Sequence, residues 1–172
     1  MRESFRVALF DVPAEVVSVF HQFRTAEFTT IGKDGTPATW PTTVVYHPDR
    51  CGFVTTTSIG LPQKAVNIRR NPRVALLFSE PRASSLQNPP AVLVQGEARA
   101  DEELTSIDGV EDVWEKVYRF QRSAKQISLG PLMKRLMGWY YIRIAIHVAP
   151  TRMLWWPKAD FTTPPLEVLR VG

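Results

Sequence analysis

Apolar and polar residues keep two different rhythms along this chain, and the change of rhythm marks its elements. Val16, Phe20 and Phe23 recur at helical spacing, with Asp11, Pro13 and Glu15 as start signals and Asp11 as a possible N-cap. This helix is expected to pack over one end of a barrel. From residue 27 the period shortens. Residues 27–31 read as a strand, Gly32, Lys33, Asp34 and Gly35 as a hairpin turn, and 37–46 as the next strand, with Pro41 at an edge or bulge. His47, Pro48, Asp49 and Arg50 turn the chain into a third strand over 51–58, so these strands are expected to form an antiparallel meander.

Gly60 and Pro62 then lead into a short helix, with Pro62 at its first position. It carries Lys64 and Asn67 and stops at Asn71, because Pro72 pushes the residue before it out of helical geometry. The apolar run 74–78 reads as a strand buried on nearly both faces. A Ser- and Pro-rich surface loop over 79–90 precedes a strand over 91–100, where Gly96 marks a bulge or a close backbone approach. Residues 101–122 read as helix in two pieces around Gly109, with Asp101 as N-cap and Val113, Val117 and Phe120 on one face.

The segment 123–138 is basic, with Lys125, Lys134 and Arg135. The last long strand is expected over 139–148, where Ile142, Ile144, Ile146 and Val148 alternate with Arg143, Ala145 and His147. Residues 151–157 extend it. Adjacent Trp155 and Trp156 then point to opposite faces, one to the core and the other to a cofactor ring or an interface. The Pro-rich tail from Lys158 is expected to wrap the surface. Six strand-like runs with antiparallel turns and few helices predict a mainly β, six-stranded antiparallel barrel.

Length and composition narrow the classes. The 172 residues suit a single domain, 1–172, with its core at about 25–157. Fourteen prolines favour strand edges and loops over long helices. The net charge of +4 suits an anionic ligand, and no polybasic run is present. Cys51 is the only cysteine, which excludes an intrachain disulfide and points to a cytoplasmic setting. No apolar run approaches the ~18 residues of a membrane helix, and no signal peptide is visible. His21, His47 and His147 lie far apart without ligand spacing, so no metal site is expected.

No nucleophile–base motif stands out, so catalytic residues stay unassigned and any chemistry is expected to belong to a bound cofactor. The stretch 51–78 carries the candidate binding groups. Thr55, Thr56, Thr57 and Ser58 end its strand, and Lys64 lies in the first turn of the helix that follows. Hydroxyls, backbone N–H groups and a lysine at a helix start suit a phosphate monoester. A solvated lysine beside a threonine-rich strand is the plainer alternative.

These residues resemble the pyridoxamine 5′-phosphate oxidase-like, flavin-binding split barrels. The resemblance rests on Phe53-Val54-Thr55-Thr56, on Lys64, on Asn71-Pro72-Arg73-Val74 with the apolar run after it, and on Val94-Gln95-Gly96-Glu97-Ala98. It covers roughly residues 27–100. It implies a Greek-key split barrel that dimerises with itself and holds a cofactor in each interface. It implies phosphate contact by Lys64 and ring or ribityl contacts by Thr42, Thr43, Val44, Thr55 and Thr56. Ser58, Gln63, Asn67, Gln95, Trp155 and Trp156 are further candidates. The family's oxidases have an Arg-Lys pair where Gln63 and Lys64 stand, and a C-terminal Arg-x-His motif that this chain lacks. The expected substrate is therefore a small molecule other than pyridoxamine phosphate.

FMN is the expected cofactor of an oxidoreductase on this reading, since the short loop before Lys64 suits one phosphate. A deazaflavin coenzyme is the alternative, its longer anionic tail meeting Arg69, Arg70 and Lys125. A non-catalytic flavin or haem carrier ranks next, with His47 or His147 as axial ligand. A nucleic-acid-binding barrel draws support only from the stretch 139–143.

Overall fold

The computed structural model describes residues 9–50, 52–80, 82, 84–105, 110–120 and 142–171. Cys51, Gly109, the basic segment 123–138 and the expected strand start at 139–141 lie outside them.

Strand β1 (Leu9–Phe10) leads into helix α1 (Ala14–Gln22). Strands β2 (Ala26–Ile31) and β3 (Pro37–Thr42) form the expected hairpin, and its tip holds Gly35 at φ 85°, a conformation that favours glycine. Next come β4 (Val45–His47), β5 (Gly52–Ser58), α2 (Gln63–Arg70), β6 (Arg73–Phe78) and β7 (Ala91–Thr105). Helix α3 (Glu111–Phe120) precedes β8 (Arg143–Trp156), and short strands β9 (Leu166–Glu167) and β10 (Arg170–Val171) end the chain.

The main sheet is antiparallel in the order β3-β2-β6-β7-β8-β5-β4, with β9 added on β8. Its two ends, β3 and β4, are separated in sequence only by Thr43 and Val44. A two-residue link cannot span a flat sheet of that width, so the sheet must curl until its edges face each other. β3 and β4 do not pair, and the barrel stays split there. Strand alternation puts Ala26, Phe28 and Thr30 of β2 inside. Phe20 of α1 enters this interior against Phe53 at 4.9 Å and Phe78 at 5.2 Å, so the helix covers one end of the barrel as its periodicity implies. A second apolar cluster lies outside the sheet, where Val113 and Trp114 of α3 cover Val54 and Ala145.

Several boundaries differ from the sequence reading. The run 37–46 breaks at Thr43 and Val44, not at Pro41, so six runs become seven barrel strands and the expected meander is interrupted. Pro41 sits in edge strand β3 opposite Glu27, where a missing N–H is tolerated. Asp11 does not cap α1. Pro13 holds the N-cap position, and the Asp11 N–H donates to the Leu169 carbonyl of the C-terminal segment. Pro62 precedes the first helical residue of α2 and takes the N-cap place, its carbonyl accepting from Val66 N–H at 3.0 Å.

Residues 101–105 are strand, not helix, because β7 resumes its pairing with β8 after a register shift, with Leu104 opposite Ile144 and Thr105 opposite Arg143. Asp101 accordingly caps nothing and instead meets Arg99 at 2.9 Å and His147 at 3.2 Å. The runs 139–148 and 151–157 join in one strand, β8. The tail does wrap the surface, through β9 on β8 and β10 on β1. At Gly96 the β7–β8 register shifts, and a Cβ placed there would lie 2.4 Å from the Ala149 carbonyl oxygen. The bulge and close approach expected from this glycine are both present. No described helix is long and apolar enough to cross a membrane.

Candidate functional site

Lys64 gathers the candidate residues around it. The turn before α2 is built by β5 hydroxyls. Thr57 Oγ1 donates to the Leu61 carbonyl at 2.8 Å, and Ser58 Oγ accepts from Gly60 N–H at 3.2 Å. Asn67, buried on α2, donates from Nδ2 to Thr30 Oγ1 at 2.9 Å and accepts from Gln63 Nε2 at 2.8 Å. This ties α2 to β2 and sets the direction of Lys64. Its ammonium donates to Thr42 Oγ1 at 3.3 Å and lies 5.9 Å from the centre of the Trp40 ring. Burial, and then the charge of Arg143, lower the Lys64 pKa below the ordinary lysine value. Among the described residues no carboxylate lies at ion-pair distance from Lys64.

The two residues of the seam are held by the chain itself. The Thr43 carbonyl accepts from Thr55 Oγ1 at 2.7 Å, and the Val44 carbonyl accepts from Lys116 Nζ at 2.7 Å. Lys116 also donates to the Phe20 carbonyl at 2.9 Å, near the C-terminus of α1 where a cation is favoured. Burial, with a smaller contribution from Arg119, lowers its pKa to about 8.

Pairing with β8 divides the β5 hydroxyls between two faces. Thr55 and Thr57 stand opposite Ile146 and Ile144, on the core side with Phe53. Thr56 and Ser58 stand opposite Ala145 and Arg143, on the face that α3 covers. Lys64 with Thr42, and Thr55 with Thr43, therefore meet at the seam beside Val44, whereas Ser58 stands at the start of β8 on the opposite face of β5 from Thr55. Gln95, Trp155 and Trp156 belong to the other end. Gln95 is exposed opposite Arg152, and its carbonyl accepts from Thr151 Oγ1 at 3.2 Å. Trp155 is buried in the core, whereas Trp156 is half-buried with its ring 5.3 Å from Phe161. Trp155 stands twelve residues along β8 from Arg143, roughly 40 Å of strand.

Sequence reasoning missed Arg143, Trp40 and Lys116. Arg143 shows only as one polar position in an alternating strand. Its place beside Ser58 comes from strand pairing, which the local pattern does not carry. The arginines suggested for an anionic tail are engaged: Arg69 donates to the Asp101 carbonyl at 2.6 Å and Arg70 to the Ile31 carbonyl. The two histidines considered as haem ligands have Nε2 against carboxylates, His47 with Asp112 at 2.8 Å and His147 with Asp101 at 3.2 Å. Chemically, the Lys64 cluster offers a half-buried ammonium and hydroxyls, a donor set suited to a phosphate.

An antiparallel split barrel with a half-buried cation at its seam is the class that fold and site define. The chain belongs to the pyridoxamine 5′-phosphate oxidase family, whose model matches residues 12–158. Solved structures share the fold. An F420 reductase is 22% identical, with a TM-score of 0.57 over 83% of this chain and 98% of its own. A conserved hypothetical protein of Mycobacterium tuberculosis is also 22% identical, with a TM-score of 0.57 over 98% of both chains. The heme storage protein HutZ of Vibrio cholerae is 15% identical, with a TM-score of 0.53 over 81% of this chain and 90% of its own. No match was found among curated proteins.

Proposed function

We propose that this protein is an FMN-binding oxidoreductase that transfers hydride to or from a small molecule other than pyridoxamine phosphate. The observation that carries this reading is half-buried Lys64, whose ammonium meets Thr42 and whose pKa is lowered by burial and then by the charge of Arg143. A phosphate there compensates the Lys64 ammonium. The isoalloxazine supplies the hydride chemistry when bound. The chain's own part is to anchor the phosphate with Lys64 and to hold Thr42, Thr43 and Val44 in place along the seam. Thr55 and Lys116 provide that hold.

The separation of Lys64 from Gln95, Trp155 and Trp156 within one chain supports a homodimer. A site that uses both groups needs the far end of a second copy. The whole chain then acts as one cofactor-binding domain. A deazaflavin coenzyme is the second reading, favoured by the likeness to the F420 reductase. The engagement of Arg69 and Arg70 with backbone carbonyls favours FMN over that longer anionic tail.

Absorbance and fluorescence titration with FMN, and in parallel with the deazaflavin, tests the proposal. FMN is expected to bind, and Lys64→Ala to weaken it at least about tenfold. Binding of the deazaflavin alone moves the assignment to the second reading. Binding of neither overturns both.

A further inference from the structure

We infer that Trp40 is a positioning residue of the Lys64 site: its indole face, together with the Thr42 hydroxyl, fixes the Lys64 ammonium where an anion can add to it. This rests on the reading of Lys64 as an anion anchor.

The β2–β3 hairpin builds the cradle. In its register Thr30, Phe28 and Ala26 stand opposite Ala38, Trp40 and Thr42, so these three β3 side chains share the inner face of the hairpin. Trp40 and Thr42 are therefore neighbours on that face, while Pro41 between them is exposed on the other. Trp40 is half-buried and Thr42 is buried.

Helix α2 brings Lys64 to the same face. Asn67 fastens the helix there through Thr30 Oγ1 at 2.9 Å, and Lys64 lies one turn earlier on the same side. Its Nζ donates to Thr42 Oγ1 at 3.3 Å and lies 5.9 Å from the centre of the Trp40 ring, within reach of cation–π attraction. Trp40 acts a second time through its main chain. The Thr42 hydroxyl donates to the Trp40 carbonyl at 3.2 Å, which commits its proton and leaves its lone pairs for the ammonium.

Such a cradle has an electrostatic use. Burial, and then the charge of Arg143, disfavour the charged form of Lys64. The negative face of an indole favours it. Arg143 has a ring of its own, with its guanidinium carbon 4.8 Å from the centre of the Trp114 ring. An ammonium carries three N–H donors. One serves Thr42, and the others are left for an anion, which adds to the cluster without displacing the ring. A lysine already ordered on folding then binds that anion with less loss of side-chain freedom.

The test uses Trp40→Leu and Trp40→Phe, with circular dichroism to verify folding. Trp40→Leu removes the ring and keeps the carbonyl that orients Thr42. The Lys64 Hε protons are followed by NMR in 13C-lysine protein and assigned with Lys64→Arg. Ring current should place them upfield in wild type, near the ordinary lysine position in Trp40→Leu and between the two in Trp40→Phe. FMN affinity should fall at least about threefold in Trp40→Leu and less in Trp40→Phe. The wild-type spectrum and Trp40→Phe decide the matter if Trp40→Leu does not fold.

The outcomes separate this inference from the flavin reading. Ordinary Hε positions in wild type overturn the inference. Equal or tighter FMN binding in folded Trp40→Leu also overturns it, and the flavin reading stands if Lys64→Ala still weakens FMN. If FMN does not bind wild type, the flavin reading fails and inorganic phosphate becomes the probe. A weaker response of the Lys64 resonances to phosphate in Trp40→Leu than in wild type then upholds Trp40. Equal responses, or none, overturn it.

Discussion

The Thr55 hydroxyl donates to the Thr43 carbonyl at 2.7 Å, so a β5 side chain pins the two-residue link between the edges of the split barrel. The link adds no rung to either neighbouring strand, and this bond helps stand in for the missing ladder. Thr55→Val keeps the shape and removes the donor. It should cost about 1–3 kcal/mol, the range for a buried polar group that loses its partner. Thr55→Ser should retain most of the stability. Urea unfolding of wild type and the two variants checks this, and equal midpoints for wild type and Thr55→Val would contradict the role of the bond.

Lys116 predicts a pH dependence. Its pKa in the folded protein is about 8, against 10.5 for an ordinary lysine. Between these values the unfolded chain holds the proton and the folded chain does not, so stability rises with pH across the window. Below pH 8 both states carry the charge, and the folded state bears the full cost of burying it. The measurable quantity is the stability of wild type minus that of Lys116→Met. It should climb between about pH 8 and 10.5, and a flat difference would contradict the burial of this charge. At neutral pH the substitution also strands two backbone carbonyls, which acts against the variant at about 1–3 kcal/mol.

At Gly96 the backbones of β7 and β8 approach closely. A Cβ there would meet the Ala149 oxygen at 2.4 Å and Pro150 Cα at 3.1 Å. Both obstacles are backbone, so a rotamer change relieves neither. Gly96→Ala should lose about 3 kcal/mol or more and lower the thermal midpoint accordingly. An unchanged midpoint would show that the two strands can separate there at little cost.

Much of the fold is legible where local pattern and tertiary pairing agree. The β2–β3 hairpin shows in its Asp-Gly turn, and α1 shows in Val16, Phe20 and Phe23. The reading fails where pairing overrides local preference. Glu102 and Glu103 carry no strand alternation, and β8 pairs again with Leu104 and Thr105 only beyond the irregularity they form. The break at Thr43 and Val44 is equally hidden, because Pro41 is the louder local signal. For the site, Lys64 is legible through its neighbours in sequence. Arg143 is not, since Ser58 and Trp114 reach it only through strand register and the docking of α3.

The most direct test of the account is a crystal structure of the protein with FMN. The phosphate is predicted within hydrogen-bond distance of Lys64 Nζ, at the seam beside Thr42. FMN bound with its phosphate away from Lys64 would contradict the account at its centre.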